Sequence, residues 1–249
     1  MYNTGFTGSQ IIRLDSVDST NNYASSLIKD TKVFDGTVIT TFEQTQGKGQ
    51  LGNTWQAQAG KNLTLSLIIY PKNLSPLNHY MLSEVTALAV SDLLLVFGVD
   101  NYIKWPNDIM TPEGKICGIL IENTIAGDSI AHSIIGLGLN VNQTDFGDQL
   151  RATSMVNILG EETELENLLT LFCNMFDKWY LMLTANKHEY IHNTYLLRLL
   201  NFGKFAPYVY KGEKIEARII NVEKNGMLIL EKTDGLTIKA DLKEISFVF

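Results

Sequence analysis

Lys48, Lys104 and Lys115 each stand beside glycines or in a turn. A mixed sheet that brought those turns together would put three cationic ends in one place, which suits a polyphosphate. Lysines in loops are more usually solvated, so spacing alone leaves both readings open. The stretch around the first lysine carries more. Gln44 to Ser66 reads QTQGKGQLGNTWQAQAGKNLTLS, with glycines at 47, 49, 52 and 60, lysines at 48 and 61, and a tryptophan at 55. Glycines allow positive φ and let backbone N–H groups approach an anion. A lysine adds a point charge, and an indole can stack on a flat ring. A flexible surface loop is the plain alternative. The order glycine, base, glycine, tryptophan, running straight into a strand, argues against it.

Two other groups could do chemistry. Ser19-Thr20-Asn21 offers two hydroxyls and an amide where a helix starts. The plain reading is an N-cap, and the other is a ligand held at a helix N-terminus. His188-Glu189-Tyr190-Ile191-His192 is H-E-x-x-H on a predicted helix, the spacing of a zinc hydrolase. Such a site needs a third ligand downstream. No histidine follows His192, and the later glutamates fall in a β-rich tail.

The elements that must position these residues follow from period and punctuation. Gln10 to Leu14 is a short strand candidate, and a helix with Tyr23, Leu27 and Ile28 on its apolar face follows, capped by Ser19 or Thr20. Residues 36–42 are β-rich. Leu63, Leu65, Leu67 and Ile69 alternate, predicting a half-buried strand over 62–70. Leu82, Val85, Leu88, Ala89, Leu93 and Val96 predict a long amphipathic helix over 77–97, packed on a sheet. Residues 102–108 form a strand entering a tight turn at Pro106-Asn107-Asp108, where Asp108 reads as a turn-capping carboxylate. Ile116 to Glu122 is a buried strand, and 130–142 another, broken by Gly136 and Gly138. Residues 163–200 are helical. From about Pro207 short strands take over, with hairpin signals at Asn225-Gly226 and Asp234-Gly235.

At 249 residues and 45% apolar, the chain fits one sizeable domain plus a small β-module. The longest wholly apolar runs, such as Leu93 to Phe97, are too short to span a bilayer, and the N-terminal MYNTGFTGSQ has no signal-peptide pattern. No membrane partner is expected. Two cysteines, Cys117 and Cys173, fit a reducing cytoplasm, with Cys117 read as a small buried apolar residue. A formal charge of −7 argues against general nucleic-acid binding.

GKGQLGNTW (47–55), KWPND (104–108), GKICGILIE (114–122) and GLGLN (136–140), in this order, resemble the motif set of the biotin–protein ligases, or biotin–[carboxylase] ligases. DSTN at 18–21 and the β-rich tail match too, so the resemblance covers essentially the whole chain. It implies an α+β fold. A mixed β-sheet flanked by helices, of the kind shared with class II aminoacyl-tRNA synthetases, would occupy residues 1–204. A small C-terminal SH3-like β-barrel would occupy 205–249. It also implies an ATP-dependent ligase. Such an enzyme activates biotin with ATP and Mg2+ to biotinyl-5′-AMP, then passes biotin to a lysine of a biotin carboxyl carrier domain. The motifs start near residue 15, so no winged-helix domain and no DNA binding are expected. A homodimer is left open.

By resemblance, Ser19, Thr20, Asn21 and Gln44 line the biotin pocket and meet its ureido group. Lys48, Gly49 and Gln50 cover biotin and the adenylate, and Gly118 and Leu120 lie close to biotin. Lys115, with Lys48, carries the catalysis at the carboxylate and the attacked phosphate. Gly47, Gln50, Asn53, Trp55, Lys104, Asn107, Gly136, Gly138 and Asn140 would serve ATP, with Trp55 walling the adenine and Asn140 helping Mg2+. Many members have arginines where this chain has Lys48, Gln50 and Asn53, so those contacts depart from the pattern. No zinc is expected. The other readings are a lipoate–protein ligase, which shares fold and chemistry; a binding module without turnover; and the zinc hydrolase.

Overall fold

The computed structural model describes residues 5–72, 74–147 and 151–248. The first four residues of the N-terminal stretch lie outside that set. A seven-stranded sheet holds β1 (Ile11–Val17), β2 (Thr37–Gln44), β3 (Leu63–Ile69), β4 (Tyr102–Lys104), β5 (Asp108–Thr111), β6 (Gly114–Ala126) and β7 (Ser129–Leu139). Their order is β1-β2-β3-β7-β6-β5-β4. Only β1 and β2 pair in parallel; the other neighbours are antiparallel.

The middle strand shows how the sheet makes a site. In β3, Leu63, Leu65, Leu67 and Ile69 enter one large core with α2 (Tyr80–Val96) and α4 (Leu165–Thr184). Ile68 turns the other way, into a smaller core with Ala24 of α1 (Thr20–Asp30). Side chains alternate along a strand, so Thr64 and Ser66 share the α1 side. The alternation read from sequence is therefore present, but the strand is buried at all seven positions. Its polar face meets a cleft beneath α1 instead of solvent.

Several elements differ from their sequence reading. β1 runs on to Val17, because its parallel register with β2 continues through Val17 opposite Gln44. Gly136 and Gly138 do not break β7; both stay paired with β3 and β6. The predicted helical region divides at Asn186, with φ 57, into α4 and α5 (His188–Arg198). It is preceded by a short α3 (Met155–Leu159). α2 is buried on nearly every side, between the sheet and α4, so it is not amphipathic in practice. By length and composition Pro76–Val96 could cross a membrane, and most of it is buried inside the fold.

A second, antiparallel sheet holds β8 (Phe205–Tyr210), β9 (Glu213–Val222), β10 (Leu228–Lys232), β11 (Thr237–Ala240) and β12 (Ile245–Phe247), in the order β11-β10-β9-β8-β12. This is consistent with an SH3-like barrel. Pro207 sits inside β8, and the two hairpins turn at Asn225-Gly226 and Asp234-Gly235. Tyr208, Ile219, Leu228 and Leu230 belong to the same continuous core as α2 and α4. The Trp105 indole N–H donates to the Gly226 carbonyl at 2.9 Å, which ties the KWPND turn to a hairpin of this sheet.

Candidate active site

Register builds the floor of the cleft. Thr64 lies opposite Gly138, Gly138 opposite Gly118, Gly118 opposite Asp108, and Asp108 opposite Lys104. One row on one face thus crosses five strands. The next row is Ser66, Gly136 and Leu120. Two glycines in these rows are forced by close neighbours. A Cβ on Gly136 would stand 2.5 Å from Asn21 Oδ1. On Gly138 the nearest atoms would be those of the Trp55 indole.

One end of the floor is a polar network around α1, buried at Thr20, Asn21 and Ser66 and reaching the exposed carboxylate of Glu122. Ser19 precedes the helix without a side-chain cap bond. Instead Gln44 Oε1 accepts from the Thr20 backbone N–H at 2.9 Å, so the cap comes from β2. The Ser66 and Thr20 hydroxyls are 2.8 Å apart, and Ser66 Oγ lies 2.6 Å from Asn21 Oδ1. Asn21 Nδ2 donates to Glu122 Oε2 at 2.7 Å. Sequence reasoning missed Ser66 and Glu122. The signal was present: Ser66 is a polar residue on the alternate face of an apolar strand.

The other end is cationic. Asp108 binds two lysines, Lys115 Nζ at 2.6 Å and Lys104 Nζ at 3.1 Å. The carboxylate read as a turn cap instead aligns two charges, and the four-residue spacing of Lys104 and Asp108 was its visible trace. The backbone of Lys115 is clamped as well: its N–H donates to the Arg151 carbonyl, and its carbonyl accepts from Thr153 N–H. Asn107 Nδ2 donates to the Ile119 carbonyl at 2.7 Å.

Over this floor folds the glycine-rich stretch. Trp55 N–H donates to Gly47 O, and Gly49 N–H to Asn53 O, so 47–55 returns on itself as a hairpin. Leu51, at its exposed tip, has φ 57. The Trp55 ring lies against Gly118 and Gly138, with Lys115 Nζ 5.4 Å from its centroid. Its Nε1 is buried without a hydrogen-bond partner. With the indole there, only about 50 Å3 of open space remains. Small-molecule sites usually run ~300–1,000 Å3, so with the hairpin in this position the cleft is largely filled by the protein's own side chains.

The cavity is lined by Ser19, Thr20, Asn21, Gln44, Lys48 and Gly49, and by Gln50, Trp55, Asn107 and Lys115. Gly118, Leu120, Gly136 and Gly138 complete the floor. Four predicted residues do not line it. Gly47 and Asn53 lie on the hairpin's backbone ladder. Lys104 is held by Asp108. Asn140 is buried, its Nδ2 donating to Thr153 O and its Oδ1 without a partner.

The sequence model of the biotin/lipoate A/B protein ligase family matches residues 14–140. The chain belongs to that family. A biotin–[acetyl-CoA-carboxylase] ligase from Paracoccus denitrificans is 32% identical over 203 residues, 78% of this chain and 83% of that protein. The bifunctional ligase/repressor BirA of Bacillus spizizenii is 29% identical over 94% of this chain and 73% of its own length. A biotin protein ligase from Aquifex aeolicus, solved with biotin and ATP, superposes with a TM-score of 0.79 at 25% identity, covering 96% of this chain and 98% of that one. This ligase keeps the H-E-x-x-H segment away from the cleft. His192 has Nδ1 2.7 Å from Glu84 Oε1 and Nε2 2.9 Å from Asn221 Oδ1, so both ring nitrogens are engaged. Among the described residues, no three His, Cys, Asp or Glu side chains are arranged to hold a metal. Both cysteines are buried, and burial pushes their thiols up.

Proposed function

We propose that this ligase joins biotin to ATP as biotinyl-5′-AMP and then transfers biotin to a lysine of a biotin carboxyl carrier domain. The observation that carries this reading is one cleft with two unlike ends. The buried hydroxyls and amides of Thr20, Asn21 and Ser66 suit a ureido ring, which both donates and accepts. A lipoyl dithiolane offers no such bonds and would leave buried polar groups unpaired, at ~1–3 kcal/mol each. The lysine end suits the reacting phosphate.

In the first step an oxygen of the biotin carboxylate attacks the α-phosphorus of ATP, and pyrophosphate leaves with the bonding pair. Lys115, aligned by Asp108, stands where it can offset the charge of both carboxylate and phosphate. Lys48 and Gln50 ride on the hairpin and close over the product, keeping water from the anhydride. The orphan Trp55 N–H supports a ligand acceptor at that wall, as an adenine nitrogen provides. Mg2+ would arrive with the phosphates. Asn140 Oδ1, buried and unpartnered, fits as one oxygen donor, and Mg2+ commonly takes few protein ligands beside phosphate. Lys104 and Asn107 belong to the phosphate side. Residues 205–249 form the smaller unit, and two buried free thiols support a cytoplasmic setting. The test is incubation with Mg-ATP, a carrier domain and radiolabelled biotin or lipoate. Biotin label on the carrier is expected; preferential lipoate label overturns the assignment.

A further inference from the structure

A second cavity, of about 140 Å3, adjoins the cleft and shares Gln50, Asn107, Ile119 and Leu120 with it. It lies between the start of α2, the KWPND turn and β6. No Lys, Arg, Asp or Glu lines it. A pyrophosphate would find no counter-charge there, whereas the cleft has Lys48 on the hairpin and Lys115 beside Lys104 at Asp108. Its wall is mixed and uncharged: Tyr80, Pro106, Ile119 and Ile121 offer an apolar side to a chain of methylenes, and Ser83, Asn107 and Asn123 offer polar groups beside it.

One group lining this cavity is an imidazole. His79 stands where a 3-10 turn, Pro76–Asn78, meets α2. Its Nδ1 is 2.9 Å from the Pro76 carbonyl oxygen. A carbonyl only accepts, so Nδ1 carries the hydrogen and Nε2 of the neutral ring is left as acceptor. Tyr80, next to it, is fixed by its hydroxyl, which donates to Pro106 O at 3.1 Å and lies 2.7 Å from the Tyr195 hydroxyl.

We infer that this cavity admits the carrier lysine and that His79 is the general base of the transfer step. The inference rests on the ligase reading above and adds to it the route and the proton acceptor. The incoming lysine is an ammonium ion and cannot attack until it loses a proton. Nε2 takes that proton and becomes imidazolium. The freed amine attacks the acyl carbon of biotinyl-5′-AMP, the C–N bond forms, and the C–O bond to phosphorus breaks with its pair kept on AMP. The second amine proton goes to water.

The test separates the two half-reactions in His79→Gln, whose amide can still donate to Pro76 O, and in His79→Asn. Three rates are read: pyrophosphate release, single-turnover transfer from preformed biotinyl-5′-AMP to the carrier, and capture of the bound adenylate by hydroxylamine. Hydroxylamine is already unprotonated at pH 7 and needs no base. Adenylation and hydroxylamine capture should stay within about twofold of wild type, while lysine transfer falls by ~10²-fold at neutral pH. Transfer should recover as pH rises toward the lysine's own value, ~10.4. Wild-type transfer in either folded variant overturns the inference. So does an equal loss of all three rates in both variants, which would mark a structural role. Failure of the wild type to make biotinyl-5′-AMP would overturn the ligase reading and this one together, whereas normal adenylation with unchanged transfer overturns the base alone.

Discussion

At one end of the cleft Thr20, Asn21 and Ser66 are buried and bonded to one another; at the other, Lys48 stands exposed on a hairpin and Lys115 is a third exposed. The first end is finished before a ligand arrives. Its polar groups are neutral or shared, and α1, β2, β3 and β6 all contribute to it. The second is held only in part: Asp108 fixes Lys115 and Lys104, while Lys48 and Gln50 depend on where the hairpin lies. A rigid neutral pocket selects a substrate by the hydrogen bonds it would otherwise leave unmade. A cationic end completed by a moving loop acts on charge that develops after binding. On the proposed function, selection and catalysis fall on different residues, and the two ends should fail differently.

The largest failure is expected at Lys115. Lys115→Ala removes the charge that Asp108 aligns, leaving the β6 ladder intact. Pyrophosphate release should fall by ~10²–10³-fold, the usual cost of losing one transition-state contact. Biotin affinity should fall much less than the rate, because Lys115 is one contact to the carboxylate, and the melting temperature should stay near wild type. Near-normal pyrophosphate release from the folded variant would remove Lys115 from the chemistry.

Asn21→Ala strikes the other end. It deletes the amide that links Ser66 to Glu122; Ser66 keeps its bond to Thr20 and Glu122 faces solvent, so the loss falls on the ligand group that the amide would have met. A buried group left unpaired costs ~1–3 kcal/mol, or about 5–150-fold in binding. The KM for biotin should rise within that range, and the KM for ATP should not. Equal changes in both constants would mean that the two ends are not independent.

A third site controls for stability alone. Burial raises the Glu84 carboxyl, and its hydrogen bond to Glu84 raises His192 above the ordinary imidazole range. Both shifts let the folded state bind more protons than the unfolded chain: the Glu84 part is complete below ~pH 4.3 and fades as pH rises through that carboxyl's folded value, and the His192 part is complete below ~pH 6.5 and fades as pH rises through the folded value of His192. Through His192 the pair joins α2 and α5 to Asn221 of β9, away from both ends of the cleft. The melting temperature of wild type should therefore fall as pH rises above ~6.5, the ordinary imidazole value. Glu84→Gln should flatten that slope without moving either KM. A slope that survives in the variant would assign it to other groups.

The sequence made part of each end of the cleft easy to read and left part of each hidden. Ser19, Thr20, Asn21 and Lys115 lie in short motifs whose order is visible without coordinates. Ser66 and Glu122 lie in strands, and their role depends on which face α1 covers. Alternation in β3 told which residues share a face, but not that the polar face is roofed by a helix. The same holds for Gly136 and Gly138. Close packing explains them, but the neighbours, Asn21 and Trp55, come from 80 or more residues earlier and meet them only through register. Asp108 shows the converse: its four-residue spacing from Lys104 was on view, while its bond to Lys115 needed β5 beside β6.

The smallest expected effect bears on how the mobile end closes. Gln50 is half-buried at the start of the 3-10 turn Gln50–Gly52, and it lines both the cleft and the adjoining cavity. A glutamine there can offer the adenylate only neutral amide bonds. An arginine would offer a charged fork to a phosphate or carboxylate oxygen. Hydrogen bonds to charged groups contribute ~1.5–3 kcal/mol, against ~0.5–1.5 for neutral ones. After losses to solvent and to ordering of the hairpin, a gain of ~1 kcal/mol corresponds to roughly fivefold in equilibrium binding. Gln50→Arg should therefore release preformed biotinyl-5′-AMP about fivefold more slowly. The two dissociation rates must be measured at one ionic strength, since salt screens the added charge. Equal or faster release from the variant would mean that residue 50 does not grip the intermediate, and that Lys48 is the residue through which the hairpin holds it.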